Sequence, residues 1–218
     1  MKNIIFIAPP AAGKGTQSKL VSESYNIPHI STGDLLREEI AKGTELGNSI
    51  KEDMEKGNLV SDEVITSLLK NRIQEPDCQN GYILDGYPRN IKQAQTYQNL
   101  LKELNYDKGT VIFFDIDKDL ALKRTISRII CPNCGSSYNL LVEELKPKQE
   151  GICDRCHKEL KTITDDTEEV FLHRFDTYIN STKELIDYYD NLNILHKIDV
   201  GTKSANAIFE EVKRVLND

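Results

Sequence analysis

The sequence predicts an α/β fold in which helices cover both faces of a parallel sheet. Short apolar runs recur along the chain, at residues 3–8, 82–84, 111–116 and 194–198. Polar segments with helical periodicity separate these runs, and this alternation is typical of a parallel sheet with helical crossovers. The 218 residues, 39% of them hydrophobic, suffice for one large core with small insertions.

Two segments show the apolar spacing of amphipathic helices. The first follows Ser61, a residue type that caps helix N-termini, and its stripe comprises Val64, Ile65, Leu68, Leu69 and Ile73. The second stripe comprises Phe171, Phe175, Tyr178, Leu185 and Tyr189. The sequence contains no internal repeat or Gly/Ser linker, so smaller domains are expected as insertions, at residues 31–60 and 130–163.

Charge and cysteine content restrict the function classes. A net charge of -7 argues against a generally nucleic-acid-binding surface. The apolar run near the N-terminus has only five residues, which predicts neither a signal peptide nor a membrane span. We therefore expect a cytoplasmic protein, in which the five cysteines are metal ligands or spare thiols rather than disulfides.

Residues 8–16, Ala-Pro-Pro-Ala-Ala-Gly-Lys-Gly-Thr, follow the first predicted strand and open a helix. A Walker A loop works in this context: its main-chain N–H groups surround phosphate oxygens and Lys14 supplies a positive charge. Against the general pattern GxxxxGK[ST], Ala8 replaces the first glycine and the hydroxyl comes one residue late, at Thr16. An ordinary β–α turn with a surface lysine is the alternative.

Two further segments carry candidate phosphate ligands. Residues 29–37 predict a short strand that enters a helix, on which Arg37 offers two parallel donors to a phosphate. Asp85 and Arg89 follow a predicted strand, at the edge where open α/β sheets bind ligands. The alternatives are a common Ser-Thr-Gly-Asp helix cap and a Gly-Tyr-Pro turn followed by a surface arginine.

Four cysteines form the most specific pattern in the chain. Cys131 and Cys134 make one CxxC pair, Cys153 and Cys156 make another, and 18 residues separate the pairs. This spacing is typical of a four-thiolate zinc ribbon, in which the metal is structural because a small insertion has too little apolar surface to fold unaided.

Two other interpretations of these cysteines remain open. The sequence Cys153-Asp-Arg-Cys156-His157 also fits a haem-attachment motif, although such attachment occurs outside the cytosol and leaves the first pair unexplained. A nucleic-acid-binding zinc ribbon is the second, favoured by nearby basic residues. These residues are Lys146, Lys148, Arg155, Lys158 and Lys161. Cys78 has no partner in the sequence pattern and is expected to be a spare or buried thiol.

Taken together, these motifs resemble those of adenylate kinases. The loop APPAAGKGTQ is similar to the family's GxPGxGKGTQ, and STGDLLR, DGYPR and the two-knuckle cysteine segment resemble further family elements. The resemblance extends over essentially the whole chain and implies a five-stranded parallel sheet of the P-loop NTPase type. It also implies a core of residues 1–30, 61–123 and 164–218, an AMP-binding insertion at 31–60 and a zinc-binding lid at 124–163.

The resemblance implies roles for individual residues. It implies ATP contacts from Ala11, Ala12, Gly13, Lys14, Gly15, Thr16, Arg124, Arg128, Ser137, Tyr138 and Lys203. It implies AMP contacts from Thr32, Arg37, Asn58, Leu59, Val60, Gly86, Tyr87, Pro88, Arg89, Gln93 and Arg174. The resemblance also implies a catalytic group, which comprises Lys14, Asp85, Arg89, Arg128 and Arg174. Arg124 and Arg128, four residues apart, are expected on one helix face.

Three positions depart from the family pattern. Ala8 and Ala11 stand where the family has glycine, and a Cβ costs about 1 kcal/mol wherever φ must be positive. Ile163 stands where the family has an arginine that clamps phosphates. We therefore expect adenylate kinase activity at a reduced rate.

The implied reaction is a reversible, Mg²⁺-dependent transfer of the γ-phosphoryl group of ATP to AMP, which gives two ADP. Thr32 and Gln93 favour AMP over UMP or CMP in this comparison. The expected partners are these nucleotides and not nucleic acid or a membrane, with Zn²⁺ in the lid and a monomeric chain. A kinase for another nucleoside monophosphate and a nucleotide-binding protein with little catalysis remain the alternatives, and iron is an alternative lid metal.

Overall fold

The computed structural model describes residues 2–55, 60–164 and 166–217. The strands are β1 Lys2–Ile7, β2 His29–Ser31, β3 Gly81–Asp85, β4 Thr110–Asp115, β5 Arg128–Ile130, β6 Ser137–Asn139, β7 Lys161–Thr162 and β8 Leu195–Asp199. The helices are α1 Lys14–Tyr25, α2 Thr32–Ala41, α3 Glu45–Glu55, α4 Asp62–Arg72, α5 Ile91–Glu103, α6 Lys118–Ile126, α7 Glu168–Asn191 and α8 Ala205–Asn217.

Five strands form one parallel sheet in the order β2-β3-β1-β4-β8. The predicted fold class is thereby confirmed, and each apolar run identified in the sequence corresponds to a strand whose ends differ from those of the run by one residue. The carboxyl ends of β1, β2 and β3 all lie at one edge of the sheet. The loops that leave these strands carry the candidate phosphate-binding residues, so the topology gathers them at that edge.

Alternate residues of β1 point to opposite faces of the sheet, and each face has its own core. Ile5 and Ile7 belong to a cluster that includes α4, α5 and α7 side chains such as Tyr97. Ile4 and Phe6 belong to a second cluster, which includes side chains of α1, α6 and α8. Helices therefore cover both faces, because a period of two along a buried parallel strand supplies apolar side chains to each of them.

The residues between α6 and α7 contain a second, antiparallel sheet in the order β6-β5-β7. Its own core is small: Ile129 and Leu160 pack with the cysteine side chains. The expectation that Arg124 and Arg128 share a helix face is wrong. Helix α6 ends at Ile126, so Arg124 lies on α6 whereas Arg128 begins β5.

Helix α4 begins with a side-chain cap, as the sequence predicts. The Ser61 hydroxyl accepts a hydrogen bond from Val64 N at 3.3 Å, which confirms the predicted cap of α4. Within the predicted stripe of α4, Leu69 and Ile73 are buried, whereas the other three residues are half-buried. In the described parts of the chain, no helix has the length and apolar character that a membrane span requires.

Candidate functional site

The loop between β1 and α1 ends at Gly13, and α1 begins at the next residue, Lys14. Gly13 has a φ of 85°, in the left-handed region. Within the described residues, no side chain caps this helix, so the N–H groups of its first turn are available to an anion. Lys14 forms an ion pair with Asp85 at the end of β3. An uncapped helix N-terminus and a lysine thus adjoin a carboxylate at the sheet edge.

The two alanines of this loop differ in conformation. Ala11 has a φ of 61°, in the left-handed region that favours glycine, whereas Ala8 does not have a positive φ. A Cβ in the left-handed region costs about 1 kcal/mol, so the expected strain falls on Ala11 and not on Ala8. The neighbouring Ala12 is buried, and its N–H donates to Pro9 O at 3.3 Å.

Asp85 connects the lysine to the next strand. His29 begins β2, and its Nε2 lies 3.1 Å from Asp85 Oδ2. The register of β2 against β3 sets Ser31 opposite Asp85, so His29 lies two residues before that position. The hydrogen bond with His29, and then Lys14, hold the pKa of Asp85 well below its usual range despite partial burial. Asp85 is therefore ionised throughout the physiological pH range.

Thr32, Gly86, Arg89 and Gln93 form a cluster beside Asp85, which we call the Gly86 cluster. The Gly86 carbonyl accepts hydrogen bonds from Thr32 Oγ1 at 3.3 Å and from Arg89 Nε at 2.8 Å. Arg89 N donates to Gln93 Oε1 at 2.7 Å. Gly86 has a φ of 75°, and a Cβ there would lie 3.2 Å from the Thr32 hydroxyl oxygen, so the position requires glycine.

The other proposed AMP ligands are only partly in this cluster. Tyr87 and Pro88 are buried next to Gly86, and the Tyr87 hydroxyl donates to Gln93 O at 3.3 Å. Arg37 is exposed on α2 and forms an ion pair with Asp34, one turn earlier on the same helix. Val60 is half-buried before α4. Asn58 and Leu59 lie outside the described residues.

A cleft of about 300 Å³ adjoins the phosphate loop, and we call it the Arg128 cleft. Its lining residues are Pro10, Ala11, Thr125, Arg128, Asp166, Phe171 and Arg174. Arg128 donates from Nε and Nη2 to the two carboxylate oxygens of Asp166 at 2.7 and 2.6 Å, and the Asp166 side chain is only 3% exposed. Two arginines predicted from the sequence therefore share one cavity with the loop.

Arg124 contacts the turn that follows β8. The Arg124 side chain is buried, and its Nη2 donates to Gly201 O at 2.9 Å. Burial lowers the pKa of this guanidinium. Lys203 Nζ donates to Asp199 O at 2.7 Å and pairs with Glu211. Of the remaining loop positions, Gly15 and Thr16 are exposed on α1.

The sulfur atoms of Cys131, Cys134, Cys153 and Cys156 lie within 4.8 Å of one another. Each CxxC pair forms a tight turn in which a later N–H donates back to the first cysteine: Gly135 N to Cys131 O at 2.9 Å, and His157 N to Cys153 O at 2.8 Å. Four convergent thiol sulfurs are the donor set of a closed, tetrahedral zinc or iron site.

The other lid residues predicted to contact ATP lie on β6, beside this cysteine site. The Tyr138 hydroxyl lies 3.4 Å from Cys153 Sγ and accepts from Asp154 N at 2.8 Å. The hydrogen bond from this hydroxyl lowers the pKa of Cys153 to about 5, whereas burial raises that of Cys131 to about 11. Ser137 is exposed.

Cys78 is buried as expected, and burial raises the pKa of its thiol to about 11.

Two contacts at this site are absent from the sequence analysis. His29 touches Asp85, and Gln93 Nε2 donates to Asp62 Oδ1 at 2.7 Å. Asp62 appears in the sequence only as the residue after a helix cap, 31 positions before Gln93. The contact of His29 with Asp85 depends on the register of β2 against β3, which sets Ser31 opposite Asp85 and leaves His29 two residues earlier on β2.

Comparison with known proteins gives one consistent result. The family model described as "Adenylate kinase" matches residues 6–194. A protein named adenylate kinase from Archaeoglobus fulgidus is 47% identical over 214 residues, which cover 98% of this chain and 97% of that protein. Proteins of the same name from Clostridium tetani and Thermotoga neapolitana are 44% and 42% identical, over 98% and 99% of this chain and 98% and 97% of their own lengths.

Proposed function

We propose, on the premise that this chain belongs to the adenylate kinase family, that its sheet edge is the site at which ATP and AMP exchange a phosphoryl group to give two ADP. The chain is a nucleoside monophosphate kinase. The observation that carries the assignment of the site is the convergence of the phosphate loop with Arg128 and Arg174 on one cleft. Phosphoryl transfer needs positioning and charge neutralisation rather than a covalent group, and cationic side chains around a helix N-terminus supply both.

The Arg128 cleft is the proposed donor side. The free N–H groups of α1 and the Lys14 ammonium would bind the phosphates of ATP, while Arg128 and Arg174 would neutralise the charge that develops on the transferred group. Arg124 and the turn at residues 201–203 would meet the ATP base. The pairing of Arg128 with Asp166 means that a phosphate would have to take the place of that carboxylate.

The Gly86 cluster is the proposed acceptor side. Arg89 and Arg37 are exposed guanidinium groups that would bind the phosphate of AMP, and Thr32 and Gln93 would meet its base. Residues 31–60 would form the AMP-binding insertion and residues 124–163 the lid that excludes water when it closes. Asn58 and Leu59 stay predictions of the sequence alone.

Two metal ions belong to this proposal. The ionised Asp85 carboxylate, next to the phosphate loop, would hold the hydration shell of Mg²⁺, which neutralises phosphate charge when bound. The four cysteines would hold one structural Zn²⁺, since their reduced thiols converge and the lid has little apolar core of its own. We expect the enzyme to act in the cytoplasm, where thiols stay reduced, and as a monomer.

A panel of acceptors tests the proposed function. Initial rates would be measured with Mg²⁺ and ATP against AMP, GMP, UMP and CMP, and AMP is expected to give the highest kcat/KM. A preference for UMP or CMP would show that the enzyme is a kinase for another nucleoside monophosphate. Tight binding of ATP and AMP without ADP formation would instead favour a nucleotide-binding protein, an alternative for which the strained Ala11 and the uncharged Ile163 provide the reason.

Replacement of a lid cysteine tests the zinc proposal. Metal analysis of the purified protein should give about one zinc per chain. Cys131→Ser should lose that metal and increase amide hydrogen exchange in β5, β6 and β7, while the five-stranded sheet keeps its protection. Cys78→Ser is the matched control, because Cys78 is a buried thiol distant from the cluster in sequence. Unchanged lid protection in a metal-free protein would contradict a structural role for zinc.

A further inference from the structure

The amide of Gln93 is held at both ends by groups of fixed hydrogen-bonding character. Its Oε1 accepts from Arg89 N at 2.7 Å, and its Nε2 donates to Asp62 Oδ1 at 2.7 Å. A main-chain N–H only donates and an ionised carboxylate only accepts. A rotation of the amide by 180° would therefore oppose donor to donor and acceptor to acceptor, so these two contacts select one orientation.

The rest of the environment fixes the position of this side chain. Gln93 is 6% exposed. Its main-chain N–H donates to Asn90 Oδ1 at 2.9 Å, and its main-chain carbonyl accepts from the Tyr87 hydroxyl. Lys92 Nζ lies 3.8 Å from the second carboxylate oxygen of Asp62. Asp62 thus faces a cation on one side and directs its other oxygen at the Gln93 amide.

The orientation of the amide decides which purine it can bind. An amide has two donors and two acceptor lone pairs, so after these contacts Gln93 retains one N–H and one lone pair. A 6-amino purine presents an acceptor at N1 and a donor at its amino group, whereas a 6-oxo purine presents the reverse pattern. Rotation of the amide in an unchanged base pose would exchange one preference for the other.

We propose that Asp62, together with the Arg89 main-chain N–H, is a positioning residue that makes Gln93 select a 6-amino purine monophosphate over a 6-oxo purine monophosphate. This inference rests on the proposed function, since it requires the base of the acceptor to meet Gln93. It adds a residue outside the predicted ligand set and assigns it a role in discrimination. An unmatched buried donor or acceptor accounts for the selectivity, because each mismatch leaves a polar group without a partner.

The substitution Asp62→Asn tests the proposal with little change of shape. An asparagine amide can accept from Nε2 or, after rotation, donate to Oε1, so residue 62 no longer selects an orientation and only the Arg89 main-chain N–H still does. Equilibrium binding of AMP and IMP would be measured by calorimetry for wild type and variant. We expect the ratio of the two Kd values to fall about three- to tenfold, the range for one hydrogen bond, through weaker AMP binding and unchanged or tighter IMP binding. The Kd of ATP should stay constant.

Glu63→Gln is the matched control. Glu63 is the next residue of the same helix turn and also faces Lys92, at 3.6 Å, but it has no contact with Gln93 among the described residues. The AMP to IMP ratio should be unchanged in this variant. An equal change in Glu63→Gln would overturn the proposal, as would an equal weakening of AMP and IMP in Asp62→Asn, because either result indicates a general structural effect.

A double-mutant cycle with Gln93→Leu separates direct from transmitted effects. If Asp62 acts through the glutamine, Asp62→Asn should leave the AMP to IMP ratio unchanged in the Gln93→Leu background. A full effect in that background would overturn the proposal. Because the readout is binding, failure of the proposed function gives a different result: AMP bound with the expected selectivity but no ADP formed. Absence of selectivity in wild-type binding would overturn this inference alone.

Discussion

The Gly86 cluster and the Arg128 cleft differ in the partners of their polar side chains and in the residue that has a positive φ. In the Gly86 cluster the side chains bond to main-chain groups and to Asp62, and the position with a positive φ is a glycine. In the Arg128 cleft the positive φ falls on Ala11, and Arg128 is paired with a nearly buried carboxylate. One region is organised before any ligand arrives, whereas the other holds its charge in an internal pair.

This difference has a consequence for the energetics of the proposed reaction. A preformed site loses little conformational entropy when a ligand binds, so the Gly86 cluster should meet the base of AMP with little rearrangement. On the proposed donor side, a phosphate would have to displace Asp166 from Arg128, and residue 163 is an uncharged isoleucine. We therefore expect the donor side to limit the rate.

Loss of Arg89 should give the largest effect. Arg89→Ala is expected to lower kcat by roughly 10²-fold or more, the typical cost of removing one group that stabilises developing charge, while the Kd of ATP changes little. Steady-state kinetics and ATP titration measure the two quantities. Lys102→Ala removes an exposed cation from the last turn of α5 and serves as the control. An equal loss of ATP affinity would show that Arg89 does not act on the acceptor side.

Addition of a charge at residue 163 should act in the opposite direction. Ile163→Arg is expected to raise kcat, by up to about 10²-fold, because it restores a cation in the loop that lines the donor side. Ile163→Gln adds polarity and length without charge, and it should give no such gain. If Ile163→Arg leaves kcat unchanged in an already fast enzyme, another residue neutralises the charge, and Lys161 on β7 is the first candidate.

Replacement of the two loop alanines by glycine should have smaller effects, and these effects should differ in sign between the two positions. Ala11→Gly should relieve the left-handed strain of about 1 kcal/mol and stabilise the fold by that amount or less, since glycine also increases the entropy of the unfolded chain. Ala8→Gly relieves no strain, but it increases the entropy of the unfolded chain in the same way, so it should destabilise the fold by about 0.5–1 kcal/mol. Denaturant unfolding measures both. The same sign of change for the two variants would contradict the assignment of the strain to Ala11.

The smallest effect is expected at His29, and it depends on pH. Asp85 has a depressed pKa, so its contribution to stability is present above the carboxyl's unfolded value of about 3.9 and is lost as the pH falls through its folded value. His29→Ala removes the largest cause of that depression. Wild type should therefore exceed the variant in stability at neutral pH, and the difference should shrink below about pH 4.

The control for this measurement is His196→Ala. His196 is an exposed histidine on β8, the strand at the opposite edge of the sheet. Its replacement should shift the free energy of unfolding by a similar amount at every pH in that range. A wild-type advantage over His29→Ala that persists undiminished at pH 2 would show that the histidine acts by strand packing and not through Asp85.

Several elements of this fold were predictable because local sequence determines them. Four strands follow from apolar runs, and α4 follows from Ser61 and its stripe. The three short strands of the second sheet were not predicted, because none of them contains an apolar run like those of β1 and β4. Arg128 was placed on a helix because its spacing from Arg124 fits a helical period, but α6 ends two residues before it.

The candidate site was predictable in its motifs but not in its contacts. The phosphate loop, Asp85, Arg89 and the four cysteines are local patterns. The contacts of Gln93 with Asp62 and of Arg128 with Asp166 join segments 31 and 38 residues apart, which no periodicity reports. The positive φ of Ala11 is likewise set by the path from β1 to α1 and cannot be inferred from an alanine in the sequence.

The stoichiometry of nucleotide conversion tests the proposed reaction most directly. Enzyme would be mixed with Mg²⁺ and equal amounts of ATP and AMP, and all three nucleotides would be followed by ³¹P NMR. One ATP and one AMP should disappear for every two ADP formed, and ADP alone should yield the same final mixture because the reaction is reversible. Loss of ATP with AMP unchanged and inorganic phosphate released, or no conversion in either direction, would contradict phosphoryl transfer between two nucleotides at this sheet edge.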